Sequence, residues 1–204
     1  MSMNALQRLL IIAATLLVAN TAWAHPNSSL VDHQLAFFSG LLHPLTGPDH
    51  LLVMLAVGLW ARFHSRHVWL APALFVCSMA VGFVASALSG ILPDPEIMIA
   101  MSVLIMGLLL GQQHIKLGRL MWPMLLSFGL FHGMAHGLEA DATARTGFML
   151  GMLLCTCGLH LAGSLLGRSL MRLNHALLIQ RVSGWSMALF GVSLLAPFVW
   201  TVAA

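Results

Sequence analysis

Three ionisable side chains fall within eight residues of an apolar run: His43, Asp49 and His50, in His43-Pro-Leu-Thr-Gly-Pro-Asp-His50. Imidazole plus carboxylate is a borderline ligand set, suited to Ni²⁺, Co²⁺, Zn²⁺ or Fe²⁺ rather than to Ca²⁺ alone. Met54 lies four residues after His50, on the same helical face, and its thioether is a soft auxiliary ligand. Pro44, Gly47 and Pro48 interrupt the run, so a broken helix is expected, with His43 ending one half and Gly47 or Pro48 opening the next. The first half would end in unpaired carbonyls and a negative dipole end, which favour a cation. Pro44 also frees the carbonyl one turn upstream, at Gly40. The plainer alternatives are a capping box over Thr46-Gly-Pro-Asp49 and singly packed histidines. Clustering argues against them, because ionisable groups at membrane depth are costly and usually mark a functional path.

A second group lies in Phe131-His-Gly-Met-Ala-His-Gly-Leu-Glu139. His132 and His136 are four residues apart and Glu139 is seven beyond His132, so in a helix all three face one way. Histidines at i and i+4 are a common bidentate metal pair. Gly129, Gly133 and Gly137 recur every four residues and form a smooth strip that lets another helix approach closely. One face of this helix is therefore expected to pack while the adjacent face carries imidazoles. The alternative is polar contact between helices, with Glu139 a boundary residue. His160 stands alone in a later apolar segment, either as a hydrogen-bonded packing residue or as a later station on a path. His25, if it becomes N-terminal, offers an α-amine and an imidazole that chelate a divalent ion together. His64, His67, His114 and His175 lie in or near connections and are expected to be solvated.

The chain that must position these groups has 204 residues, 59% apolar and 7% charged. An ordinary soluble domain carries about 25% charged residues, so a polytopic protein with the lipid bilayer as its surroundings is expected. Histidines number eleven against nine Lys plus Arg, an excess that points to metal or proton chemistry. No basic cluster or aromatic–basic patch is available to bind nucleic acid. Cys77, Cys155 and Cys157 all sit in apolar runs and form neither a disulfide framework nor a CxxC knuckle. Residues 1–24 read as a cleavable signal peptide, with Arg8, an apolar Leu9–Ala19 and Ala22-Trp-Ala24. That leaves 25–204 as a single transmembrane domain. Six apolar segments follow, at about 34–61, 68–90, 96–112, 119–138, 146–167 and 181–202. The pieces 34–43 and 49–61 are each too short to cross alone, so the first segment is expected to be one discontinuous crossing. With the mature N-terminus outside, Arg62, Arg66, Lys116, Arg119, Arg168, Arg172 and Arg181 fall inside and Arg145 outside. The positive-inside rule favours this orientation, with both mature termini periplasmic. Six spans divide three plus three, a plan that gives inverted halves in transporters. The fold class expected is all-α.

The run His43-Pro-x-x-Gly47-x-Asp49-His50, with Met54 and Val57-Gly-Leu-Trp-Ala61 after it, resembles the signature of the HupE/UreJ family of membrane proteins. Phe131-His-Gly-x-Ala-His-Gly-x-Glu139 is similar to that family's second motif, with Met134 where many members carry Tyr. The leader, the His25-Pro start and the six spans fit as well. The resemblance implies an inner-membrane permease, not an enzyme, that carries Ni²⁺ or Co²⁺ from periplasm to cytoplasm. The metal is then cargo rather than a prosthetic group, and nickel enzymes such as hydrogenase or urease are indirect partners. Carried over residue by residue, it implies His43, Asp49, His50, His132, His136 and Glu139 as the metal-handling set. His43, Asp49 and His50 would form the main dehydrating site, which His132 and His136 complete. An intramembrane zinc hydrolase using the same His and Asp ligands is the alternative class, although H-E-x-x-H and G-x-S-x-G motifs are absent. A haem carrier with axial histidines is a third.

Overall fold

The computed structural model describes residues 29–86, 94–112 and 117–203. The signal-peptide reading of 1–24, His25 and His114 lie outside them. Among the described residues there is no strand. The helices are α1 (Ser29–Thr46), α2 (Pro48–His64), α3 (Leu70–Ala85), α4 (Pro95–Gly111), α5 (Met121–Glu139), α6 (Arg145–Leu170) and α7 (Ala176–Ala203). A 3₁₀ turn over Gly118–Leu120 leads into α5. The spans Arg145–Leu170 and Ala176–Phe198 are each long and apolar enough to cross a membrane; α3 and α4 are shorter apolar helices.

The break between α1 and α2 falls at one residue, Gly47, whose backbone is extended at φ −92°, ψ 113°. Pro48 follows at the first position of α2, where its missing N–H leaves nothing unpaired. The expected end of the first half is corrected: α1 does not stop at His43 but continues through Pro44 to Thr46. A proline in the last turn removes one backbone bond near an end that frays in any case. The Thr46 hydroxyl donates to the His43 carbonyl at 2.7 Å and holds that turn. Thr46 therefore does not cap α2, and the capping box does not form; Gly47 is the N-cap and supplies no side-chain bond.

Glycine governs how the helices meet. Gly129, Gly133 and Gly137 of α5 lie on the backbone carbonyls of Phe75, Met79 and Phe83, so α3 and α5 run parallel at close approach. Helices α4 and α7 run antiparallel, with Gly107 against Ala188, Gly111 against Gly184 and Gly191 against Leu104. Helix α6 takes α1 along its first half, Gly147 on His33 and Gly151 on Phe37. It takes α2 along its second half, Gly163 on Leu55 and Gly167 on Arg62. The two pieces thus share one side of α6, with the Gly47 break between them. Arg145 opens α6 by donating to Ser86 Oγ at 2.7 Å and lying 5.2 Å from the Phe83 ring, which ties α6 to the end of α3. Its position in the sequence showed only a connecting charge.

Large apolar side chains face outward, and polar ones are buried beside an apolar core. Val84, Leu154 and Leu189 point outward, while His132, His136, Thr156 and His160 are buried. An apolar exterior around a core that also holds buried polar groups suits lipid.

A Cβ at position 133 would overlap the Met79 carbonyl, whereas one at Gly158 meets nothing within 4 Å. Gly133→Ala is therefore expected to destabilise the protein by about 1–3 kcal/mol, as overpacking does. Gly158→Ala, with no contact to lose, should leave stability unchanged or raise it by up to about 1 kcal/mol, the helix-propensity advantage of Ala over Gly. Thermal unfolding of the two variants in detergent checks the difference.

Candidate functional site

The broken segment and the end of α5 meet inside the bundle. His43 is in the last turn of α1, Asp49 and His50 are in the first turn of α2, and His132 and His136 look out from α5. The His43 and His136 rings stand edge to face with centroids 4.8 Å apart. The His50 ring lies 4.5 Å from His136 and 4.9 Å from His132. Glu139 closes the outer side: its Oε2 sits 2.9 Å from His43 Nε2 and 3.4 Å from His136 Nδ1. Candidate ligand atoms of His43, His136 and Glu139 all lie within 4.8 Å of one another. The cluster grades from half-exposed Glu139 to fully buried His132, about 10 Å apart along the α5 axis at 1.5 Å per residue.

Local folding explains the geometry. The last carbonyls of α1 carry a negative partial charge, and the first N–H groups of α2 a positive one. Asp49 offsets the latter: its Oδ1 accepts from the His50 backbone N–H at 2.9 Å and from His50 Nδ1 at 3.0 Å. Asp49 thus orients an imidazole, as carboxylates behind metal-binding histidines do.

The tautomers follow from the partners. His132 Nδ1 is 2.8 Å from the Phe128 carbonyl oxygen, and His160 Nδ1 is 2.7 Å from the Met54 carbonyl oxygen. A carbonyl only accepts, so Nδ1 carries the hydrogen and Nε2 holds the lone pair. Carboxylates do the same for His50 and His136 through Asp49 and Glu139. The Nε2 atoms of His50, His132, His136 and His160 are all buried without a hydrogen-bond partner. Lone pairs left unpaired in an apolar interior cost about 1–3 kcal/mol each, and neutral imidazole nitrogen is what a borderline dication binds.

The residues singled out in the sequence separate as follows. His43, Asp49, His50, His132, His136 and Glu139 come together. His160 is buried elsewhere, below the cluster, on α6. Met54 is buried, and its part in the geometry is its backbone carbonyl. His64 and His67 line a cavity of about 410 Å³ at the other end of α2, with Trp60 and Trp122. Phe75 of α3 was not anticipated: its ring is 5.4 Å from His132 and 5.3 Å from His160. A phenylalanine in an apolar run carries no sequence signal for such a place.

Apolar helices around an imidazole-lined interior define an all-helical membrane protein with a polar internal site. The chain belongs to the HupE/UreJ family: residues 13–194 match the model of the HupE / UreJ protein. It is 36% identical over 176 residues to Protein HupE of Rhizobium leguminosarum bv. viciae, an alignment that covers 84% of this chain and 90% of that one. No solved structure matches.

Replacing Asp49 with Asn removes the charged acceptor behind His50. Asp49→Asn is expected to weaken Ni²⁺ or Co²⁺ binding by about 10–100-fold, the usual loss when an orienting carboxylate is removed. Titration calorimetry on folded protein in detergent measures it, and unchanged affinity would remove Asp49 from the site.

Proposed function

We propose that this protein is an inner-membrane permease that carries a divalent transition metal, Ni²⁺ or Co²⁺, from the periplasm to the cytoplasm. The observation that carries this reading is the set of buried imidazoles whose Nδ1–H is held and whose Nε2 is bare. His50, His132 and His136 replace water ligands with nitrogen, while His43 and Glu139 stand at the partly exposed side and receive the ion first. Asp49 and Glu139 together carry two negative charges against the two of the dication, which lowers the cost of taking it into low dielectric. The shell is mixed and incomplete, which suits an ion that has to leave again.

Helix directions support six crossings. With α1 and α2 taken as one discontinuous span, strict alternation makes spans two and four parallel, spans one and five parallel, and spans three and six antiparallel. These are the directions in which α3 meets α5, α1–α2 meet α6, and α4 meets α7. A two-fold axis in the membrane plane exchanging spans one to three with four to six would interchange the first two pairs and keep the third, which supports the inverted three-plus-three plan. The membrane potential drives a cation inward by about 2.3 kcal/mol per charge per 100 mV, so uniport is energetically sufficient. Nickel enzymes such as hydrogenase or urease would draw on the imported ion.

Proteoliposomes are expected to accumulate labelled Ni²⁺ with competition from Co²⁺. Vesicles holding a well-inserted Asp49→Asn/His50→Ala double variant should accumulate none. Accumulation by that variant at the parent rate would overturn the reading.

A further inference from the structure

We propose that His160 is a second, inner metal station, joined to the outer imidazole cluster through the ring of Phe75, which touches both. This deepens the permease reading and rests on it. His160 is 1% exposed, and its Nε2 is buried without a partner. Its Nδ1–H is committed to the Met54 carbonyl of α2 at 2.7 Å, so Nε2 bears the lone pair. This is the arrangement of His132 and the Phe128 carbonyl, repeated on another helix.

Phe75 links the two. It is fully buried, and its ring meets both His132, at 5.4 Å, and His160, at 5.3 Å, each edge to face. An ion leaving the outer cluster inward meets an apolar ring and then one further imidazole. The surroundings of His160 are polar in a regular way: Thr156, His160 and Ser164 recur every four residues on α6, and all three are buried. Such a stripe continues about 12 Å along the helix, at 1.5 Å per residue. One soft donor stands beside it, the Met79 Sδ, which lies 3.7 Å from the Thr156 hydroxyl and one turn from Phe75 on α3. The chemistry is ligand exchange alone: a dication passes from outer imidazole nitrogens to the His160 Nε2, with no bond to protein atoms beyond coordination and no change of oxidation state.

A purely structural His160 would act only through its bond to Met54, and asparagine distinguishes the two roles. The Asn amide places a donor where Nδ1 stands and has nothing at Nε2. Folded His160→Asn is expected to bind the first equivalent of Co²⁺, the one held by the outer cluster, at the parent level, read from its visible absorption. Its maximal Ni²⁺ uptake in proteoliposomes is expected to fall by about tenfold or more, the scale of losing a ligand-shell contact. Uptake at the parent rate would overturn the assignment, and so would a matching loss of Co²⁺ binding, which would place His160 in the outer site. Should His160→Asn yield no folded protein, folded His160→Gln runs the test in reverse, since its amide reaches the Nε2 position and gives up the Nδ1 bond to Met54: Ni²⁺ uptake kept within a few-fold of the parent supports the station, and uptake lost overturns it. The Asp49→Asn/His50→Ala variant runs alongside. If that variant transports normally, the permease reading falls; if it is inactive while His160→Asn transports normally, only the inner station falls.

Discussion

A buried imidazole whose Nδ1 faces a carbonyl or carboxylate oxygen has one neutral tautomer open to it. The interior of this protein is organised by that constraint four times over: His50 on Asp49, His136 on Glu139, His132 on the Phe128 carbonyl and His160 on the Met54 carbonyl. Each ring is fixed in orientation by its N–H, and each leaves its Nε2 buried with no protein group to answer it. Packing alone would not favour this, because an apolar residue of the same volume carries no unanswered lone pair. The arrangement has the form of a ligand set held ready by its own outer hydrogen bonds.

Close approach of backbones sets these rings against their neighbours, and for His160 it makes the hydrogen bond itself possible. Without glycine at 129, 133 and 137, α5 could not lie on the carbonyls of α3 and hold His132 against Phe75. Without Gly58, whose missing Cβ admits the His160 carbonyl, α6 could not come near enough to α2 for His160 to reach Met54. The break at Gly47 has a different task. It brings the last turn of α1 and the first turn of α2 to one place, so that His43 and His50 both meet His136. A continuous helix would carry positions 43 and 50 past that point two turns apart.

Much of this was legible in residue types and spacing. The i, i+4 imidazole pair and the four-residue glycine repeat predicted two faces on one helix, and α5 has both. The two motifs carried the family. The position of the break was less legible. Two prolines bracket it, yet only Pro48 marks a boundary, because a helix tolerates a proline such as Pro44 in its last turn when a side chain such as Thr46 secures the turn. Residue type makes Asp49 a ligand and a negative charge, and its hydrogen bonds to His50 add an orienting part that no spacing rule encodes. Phe75 and the Met54 carbonyl were invisible, because an aromatic ring in an apolar run and a backbone oxygen have no sequence signature. Arg145 looked like a lone outer charge and is instead the anchor of α6 on Ser86.

The central claim is that imidazole Nε2 atoms of the bundle interior bind the dication. X-ray absorption at the nickel edge, on protein loaded with one equivalent of Ni²⁺, tests it most directly. The account predicts a first shell dominated by nitrogen, with the outer-shell scattering of several imidazole rings, lost from the His50→Ala/His132→Ala double variant. A shell of oxygen alone, or one containing cysteine sulfur, would contradict it.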